Sequence, residues 1–118
     1  MLPKSHYSLL EEWIKLLKIF QREWDLQNQN YYYQSPIWQD ILFFLQEKIV
    51  PFSADFADSN EANLWQSWQT ETHRYVRLLT TDLLFFDTAK QPMTKKVKHS
   101  LVSQHLESAI ALSQNMIN

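Results

Sequence analysis

None of the 118 residues is glycine. At the usual share of about 7%, roughly eight would be expected. Glycine is the default residue wherever the backbone takes positive φ or passes close to a ligand. Its absence argues against type I′ hairpins, glycine-closed helix C-caps and phosphate-cradling loops. What remains for such a chain is helices joined by irregular or proline-started connections, and the expected fold class is all-α.

The hydrophobic pattern agrees. Leu9, Leu10, Trp13, Leu16, Leu17, Phe20 and Trp24 recur at three- and four-residue steps, with Glu11, Lys15, Lys18 and Arg22 mostly outside the stripe, as one face of a helix requires. Ser5, just after Pro3, is the expected N-cap. Residues 26–34 read as a loop whose Tyr31, Tyr32 and Tyr33 are placed to cover a bundle end. Ser35-Pro36 is an N-cap followed by proline at the first helical position, where the missing N–H costs nothing. Helix two then carries Ile37, Trp38, Ile41, Leu42, Phe44, Leu45 and Ile49, and Pro51 stops it. After a second connection, with Asp58 or Ser59 as cap and Glu61 close behind to favour the helix dipole, the longest helix spans roughly 60–87. Its stripe is Leu64/Trp65, Trp68, Thr72, Tyr75/Val76, Leu79, Leu83 and Phe86. Helix four runs from near Pro92, with a less apolar stripe of Val97, Leu101, Leu106, Ala109/Ile110, Leu112 and Met116.

Residues 1–118 thus form a single helical-bundle domain, expected to be an up-and-down bundle of about four helices. A three-helix core of helices one, three and four with helix two packed across it fits the same pattern. Five Trp, five Tyr and seven Phe supply much of the core, and each buried indole N–H wants a partner.

Several classes of function lose support. Nucleophile elbows, Walker-type loops and dinucleotide fingerprints all need glycine. With no cysteine there is no thiolate catalysis, disulfide or Cys-ligated zinc, which suits a reducing compartment. The longest apolar run, Ile41 to Leu45, is far short of the roughly 20 residues of a membrane span. The N-terminal segment reaches Glu11 and Glu12 in place of a signal peptide's apolar stretch. A cytoplasmic location is expected. Residues 1–73 hold five Lys/Arg against ten Asp/Glu (net −5) and residues 74–118 six against three (net +3). That weakly basic end is not the dense positive surface of a nucleic-acid binder.

No Glu has a His three residues on, so the Glu-x-x-His pairs of a bundle di-metal site are missing. His99 and His105 are separated by about 240° of net helical rotation and cannot share a metal from one face. Neither a catalytic group nor a cofactor is expected. Asp82 is the sharper case: it lies in Leu78-Leu79-Thr80-Thr81-Asp82-Leu83-Leu84-Phe85-Phe86, where a carboxylate must be paired or partly exposed. The structural reading is an ion pair with Arg77, Arg74 or a lysine of helix four; the functional one is a recognition or catalytic acid. Lys90, Lys95, Lys96 and Lys98 surround the start of helix four, where cations oppose the dipole. They form either a solvated face or a surface for an anionic partner. Adjacent residues on a helix diverge by about 100°, so in Phe43-Phe44 and Phe85-Phe86 the first member lies at the stripe's margin. Such a residue either widens a core seam or belongs to an exposed apolar patch.

The run Arg77 to Phe86, followed by Ala89-Lys90-Gln91-Pro92, resembles the signature of the PatD family of cyanobacteria, and Gln46-Glu47-Lys48-Ile49-Val50-Pro51 resembles its matching upstream segment. Together these cover under a fifth of the chain. The resemblance implies a small helical regulator without catalytic activity that restrains heterocyst frequency through contact with the tubulin-like division protein FtsZ. Recruitment to the division site is part of that expectation. The candidate partner-binding residues are Arg77, Asp82, Phe85, Phe86, Lys90, Lys95, Lys96 and Lys98. The alternative is a helical-bundle enzyme or cofactor-binding protein with a core site around Asp82. A homodimer is a further arrangement open to such a chain, since symmetric dimers are the commonest oligomers.

Overall fold

A computed structural model of the chain describes residues 2–52 and 59–118. Among the described residues the helical elements are α1 (Lys4–Leu26), α2 (Pro36–Phe44, continued by a π-helical turn Leu45–Ile49), α3 (Ser59–Thr88) and α4 (Pro92–Ile117), with no strand. The fold is the all-α helical bundle that the glycine-free sequence dictates.

Side-chain pairs fix the helix directions. Trp13 meets Phe44 and Phe20 meets Trp38, with ring centroids 5.9 and 5.1 Å apart. Moving forward along α1 therefore means moving back along α2, by nearly the same number of residues. Helix two lies antiparallel alongside helix one, not across a three-helix core. Asp82 with Lys98 and Trp68 with Ser113 make α3 and α4 antiparallel in the same way. Trp24 touches Ser103 and His99, while Ile14 shares a groove with Gln114 and Ile117, so α4 also runs antiparallel to α1. The result is an up-and-down bundle measuring 52 × 22 × 21 Å.

One continuous core runs through it, dominated by Trp13, Trp24, Trp38, Trp65 and Trp68. α4 is joined to both long neighbours through serine: Trp24 Nε1 donates to Ser103 Oγ at 3.1 Å and Trp68 Nε1 to Ser113 Oγ at 2.9 Å. These bonds satisfy two of the indoles, and they explain why the α4 stripe is poor in large apolar residues. Among the described residues Trp13 Nε1, Trp38 Nε1 and Thr72 Oγ1 are buried without a hydrogen-bond partner.

Local structure corrects several expectations. α1 begins at Lys4, not after Ser5. Pro3 occupies the cap position with extended ψ of 151°, and its carbonyl accepts from His6 N and Tyr7 N. Ser35 caps α2 as expected, accepting from Trp38 N at 3.3 Å. Asp58 lies outside the described residues; Ser59 opens α3, with Glu61 in its first turn. The inner face of α4 is Val102, Leu106, Ala109, Ile110 and Ser113, with Leu101 and Leu112 only half-buried and Val97 exposed. Val97 faces out because Lys95 and Lys98 turn toward α3, and Val97 lies about 200° around the helix from Lys95. Leu64 is exposed beside the buried Trp65.

Two helix ends show how the chain manages without glycine. α1 closes on Gln27, whose φ of 50° and ψ of 42° lie in the left-handed region, the usual place of a C-terminal glycine. Its own side chain contributes: Nε2 donates to Trp24 O at 2.6 Å, beside the Gln27 N–H donating to the same oxygen. Ahead of Pro51, which cannot donate, the last turn of helix two widens so that Val50 N reaches back to Leu45 O. Gln69 of α3 then donates to the carbonyls of Ile49 and Phe52, each at 2.8 Å.

Candidate protein-interaction surface

The antiparallel course brings the C-terminal end of α3, the 89–91 link and the first turns of α4 to one end of the bundle, beside the Tyr31–Tyr33 loop. The segment flagged in the sequence divides here into an inner and an outer set.

The inner set is engaged within the bundle. Asp82 is only 7% exposed. Lys98 Nζ lies 3.3 Å from its Oδ1 and His105 Nδ1 lies 3.1 Å from its Oδ2. A carboxylate oxygen only accepts, so His105 Nδ1 carries the proton in this contact. Lys98 and His105 are seven residues apart, two turns along one face of α4. Of the partners considered for Asp82, the helix-four lysine is the one present. Arg74 is instead held by Glu71 (3.0 Å), whose hydrogen bond and charge raise the guanidinium pKa. Arg77 is exposed. Nothing local in the sequence marks His105 as the partner of an aspartate twenty-three residues away.

Phe86, among the expected interaction residues, is 7% exposed and packs edge-on against Trp24 at 4.8 Å, with Tyr32 at 6.1 Å. Lys95 is likewise committed internally. Its Nζ donates to Phe86 O at 3.0 Å and lies 4.2 Å from the centre of the Phe86 ring. α3 has no basic residue in its own last turn, so Lys95 supplies from α4 the cation that the negative helix end favours. The apparent dipole conflict at the start of α4 is thus offset at the end of α3. Asp87 completes this end. Its Oδ1 and Oδ2 accept from the Tyr32 N–H, both at 3.0 Å, and Oδ2 also accepts from the Tyr33 N–H at 2.8 Å. That fixes the tyrosine loop: Tyr32 is buried, Tyr33 half-buried and Tyr31 exposed. His99 and His105 indeed face different neighbours, His99 stacking on Trp24 at 5.0 Å.

The outer set is apolar and cationic. Phe85 is 55% exposed and Leu84 43%; on α4, Met93 and Val97 are 71% and 52% exposed. Lys90 and Lys96 are also exposed, and Lys98 Nζ lies 5.0 Å from the centre of the Phe85 ring. Phe85 therefore resolves as surface, and Lys98 links the two sets by gripping Asp82 beneath while covering part of Phe85 above. An exposed aromatic ring with a lysine over it, at a bundle end that also exposes aliphatic and lysine side chains, suits docking against a protein surface with apolar and acidic character. Among the described residues no three His, Cys, Asp or Glu side chains gather as a metal-ligand group, and no helix is long and apolar enough to cross a membrane.

Compared with protein families, with characterised proteins and with solved structures, the chain matches none.

Proposed function

We propose that this protein is a non-catalytic regulator that docks the α3–α4 corner onto another protein. On this reading the partner is the division protein FtsZ, and the contact sets how often cells differentiate into heterocysts. The carrying observation is the exposure of Leu84, Phe85, Met93 and Val97 together with Lys90 and Lys96 at one end of the bundle, inside and next to the segment resembling the PatD signature. The resemblance supplies the partner; the exposed chemistry supplies the surface. Asp82, on which a core-site enzyme reading depends, has each carboxylate oxygen engaged by a side chain of α4, which supports a packing role for it. Recruitment to the division site follows from the proposed partner.

Purified protein tests this against purified FtsZ at fixed salt. The expected result is saturable binding that Phe85→Ser and Lys90→Glu/Lys96→Glu each weaken at least tenfold while leaving the helical circular-dichroism signal intact. No binding by folded wild-type protein removes the partner; equal binding by the variants removes the surface.

A further inference from the structure

A second surface lies away from that corner. Where α1 passes the C-terminal end of α4, an open groove of about 760 Å³ is floored by Ile14, Ile19 and Ile117. Lys15, Lys18 and Arg22 stand along its α1 wall, and Glu11 is the one acid among the lining residues. Spacings of three and four place these cations as neighbours on one helix, where like charges repel. None of them belongs to the ion pairs Arg74–Glu71, Lys98–Asp82 and His105–Asp82. Glu11, four residues before Lys15, offsets part of this repulsion, and the groove's α1 wall keeps a cationic excess.

Its complement is on helix two. The outward face of helix two and its π turn carries Asp40, Phe43, Glu47 and Val50, spaced as successive turns of one helix face. All four are exposed, Phe43 to 63%. Neither acid belongs to those ion pairs. One surface is apolar with cations, the other apolar with anions, and each is about as long as a short helix. Groove-on-groove pairing would set Lys15, Lys18 and Arg22 against their own copies.

We infer that the α1–α4 groove receives helix two of a second copy of this chain. Because the two surfaces differ, the contact is heterologous and does not close on itself unless rotation permits, so growth beyond a dimer is expected. A single helix in a groove is a small interface, and the association is weak and lost at high salt. The inference does not depend on the proposed partner, since the groove and the α3–α4 corner lie at opposite ends of α4.

Sedimentation equilibrium tests it. At low salt and high micromolar concentration the wild-type mean mass should rise above the 14.2 kDa of one chain and fall back as salt is added. Lys15→Glu/Lys18→Glu and Asp40→Lys/Glu47→Lys should each remain monomeric, because each makes the two surfaces alike in charge. Mixing these two variants should restore association. A wild type that stays monomeric overturns the inference, as does association that survives either charge reversal. Variants that fail to recover on mixing overturn it too, with circular dichroism confirming that each is folded. Binding of FtsZ at the α3–α4 corner would be unaffected by any of these results.

Discussion

Replacing Lys98 by methionine keeps the long apolar stem and removes the charge that Asp82 faces at 3.3 Å. The carboxylate then stays in a largely buried site with His105 as its remaining partner. A hydrogen bond to a charged group contributes about 1.5–3 kcal/mol, and breaking a fully buried pair from one side costs about 3–5 kcal/mol. The Lys98 side chain is 25% exposed, so the lower range applies and Lys98→Met should destabilise by about 1.5–3 kcal/mol. Asp82→Leu acts differently. It places an apolar side chain among apolar neighbours, and both Lys98 and His105 are exposed enough to turn toward water. Its effect should stay within about 1 kcal/mol of wild type, since replacing a buried charge with a well-packed apolar group is often neutral. In the double variant, Lys98→Met should cost little more than Asp82→Leu alone. Urea unfolding followed by tryptophan fluorescence measures all four corners of this cycle. If Lys98→Met costs no more than Asp82→Leu, or if the two effects add, Asp82 is not held by Lys98 and the separation into inner and outer sets fails.

Other residues give independent tests. Ser113→Ala leaves the Trp68 indole N–H buried without its acceptor and should destabilise by about 1–3 kcal/mol, with Ser103→Ala costing less at its partly exposed site; thermal unfolding ranks the two. Gln27→Gly relieves a left-handed backbone conformation but loses a side-chain bond, and should stabilise by up to about 1 kcal/mol. Gln27→Val, branched at Cβ, should be destabilising at the same position. Asp87→Ala removes the acceptor of the Tyr32 and Tyr33 amides, so hydrogen exchange at those two amides should accelerate markedly more than at the centre of α3.

Much of the fold was legible because helical periodicity and the missing glycine pointed the same way. The Ser35-Pro36 start of helix two and the α3 stripe from Trp65 to Phe86 follow from local chemistry. The start of α1 did not, because Ser5 and Pro3 compete for one cap and only the backbone course decides between them. The inner face of α4 departs from the expected stripe at Val97, which is exposed, and at Leu101, which is only half-buried, while Leu112 packs against the core. Its register is set by long-range partners, Asp82 and Trp68, that fix where Lys98 and Ser113 must point. Helix two's orientation was open for a similar reason: its apolar face suits either arrangement, and the ring pairs Trp13–Phe44 and Phe20–Trp38 choose between them. At the candidate surface, the exposed Phe85 follows from the 100° divergence of adjacent residues, whereas the engagement of Lys95 with the end of α3 has no signature in sequence. Lysines on a solvated face and lysines closing a neighbouring helix have the same one-dimensional pattern.

The central claim is that the α3–α4 corner meets a partner through its outer residues while its inner residues hold the bundle. Amide and methyl chemical-shift mapping of labelled protein titrated with unlabelled FtsZ tests it most directly. The account predicts perturbation and broadening concentrated at Leu84, Phe85, Lys90, Met93, Lys96 and Val97, with the α1–α4 groove and the outer face of helix two unchanged. Perturbations confined to those other faces, or none at saturating FtsZ, would contradict it.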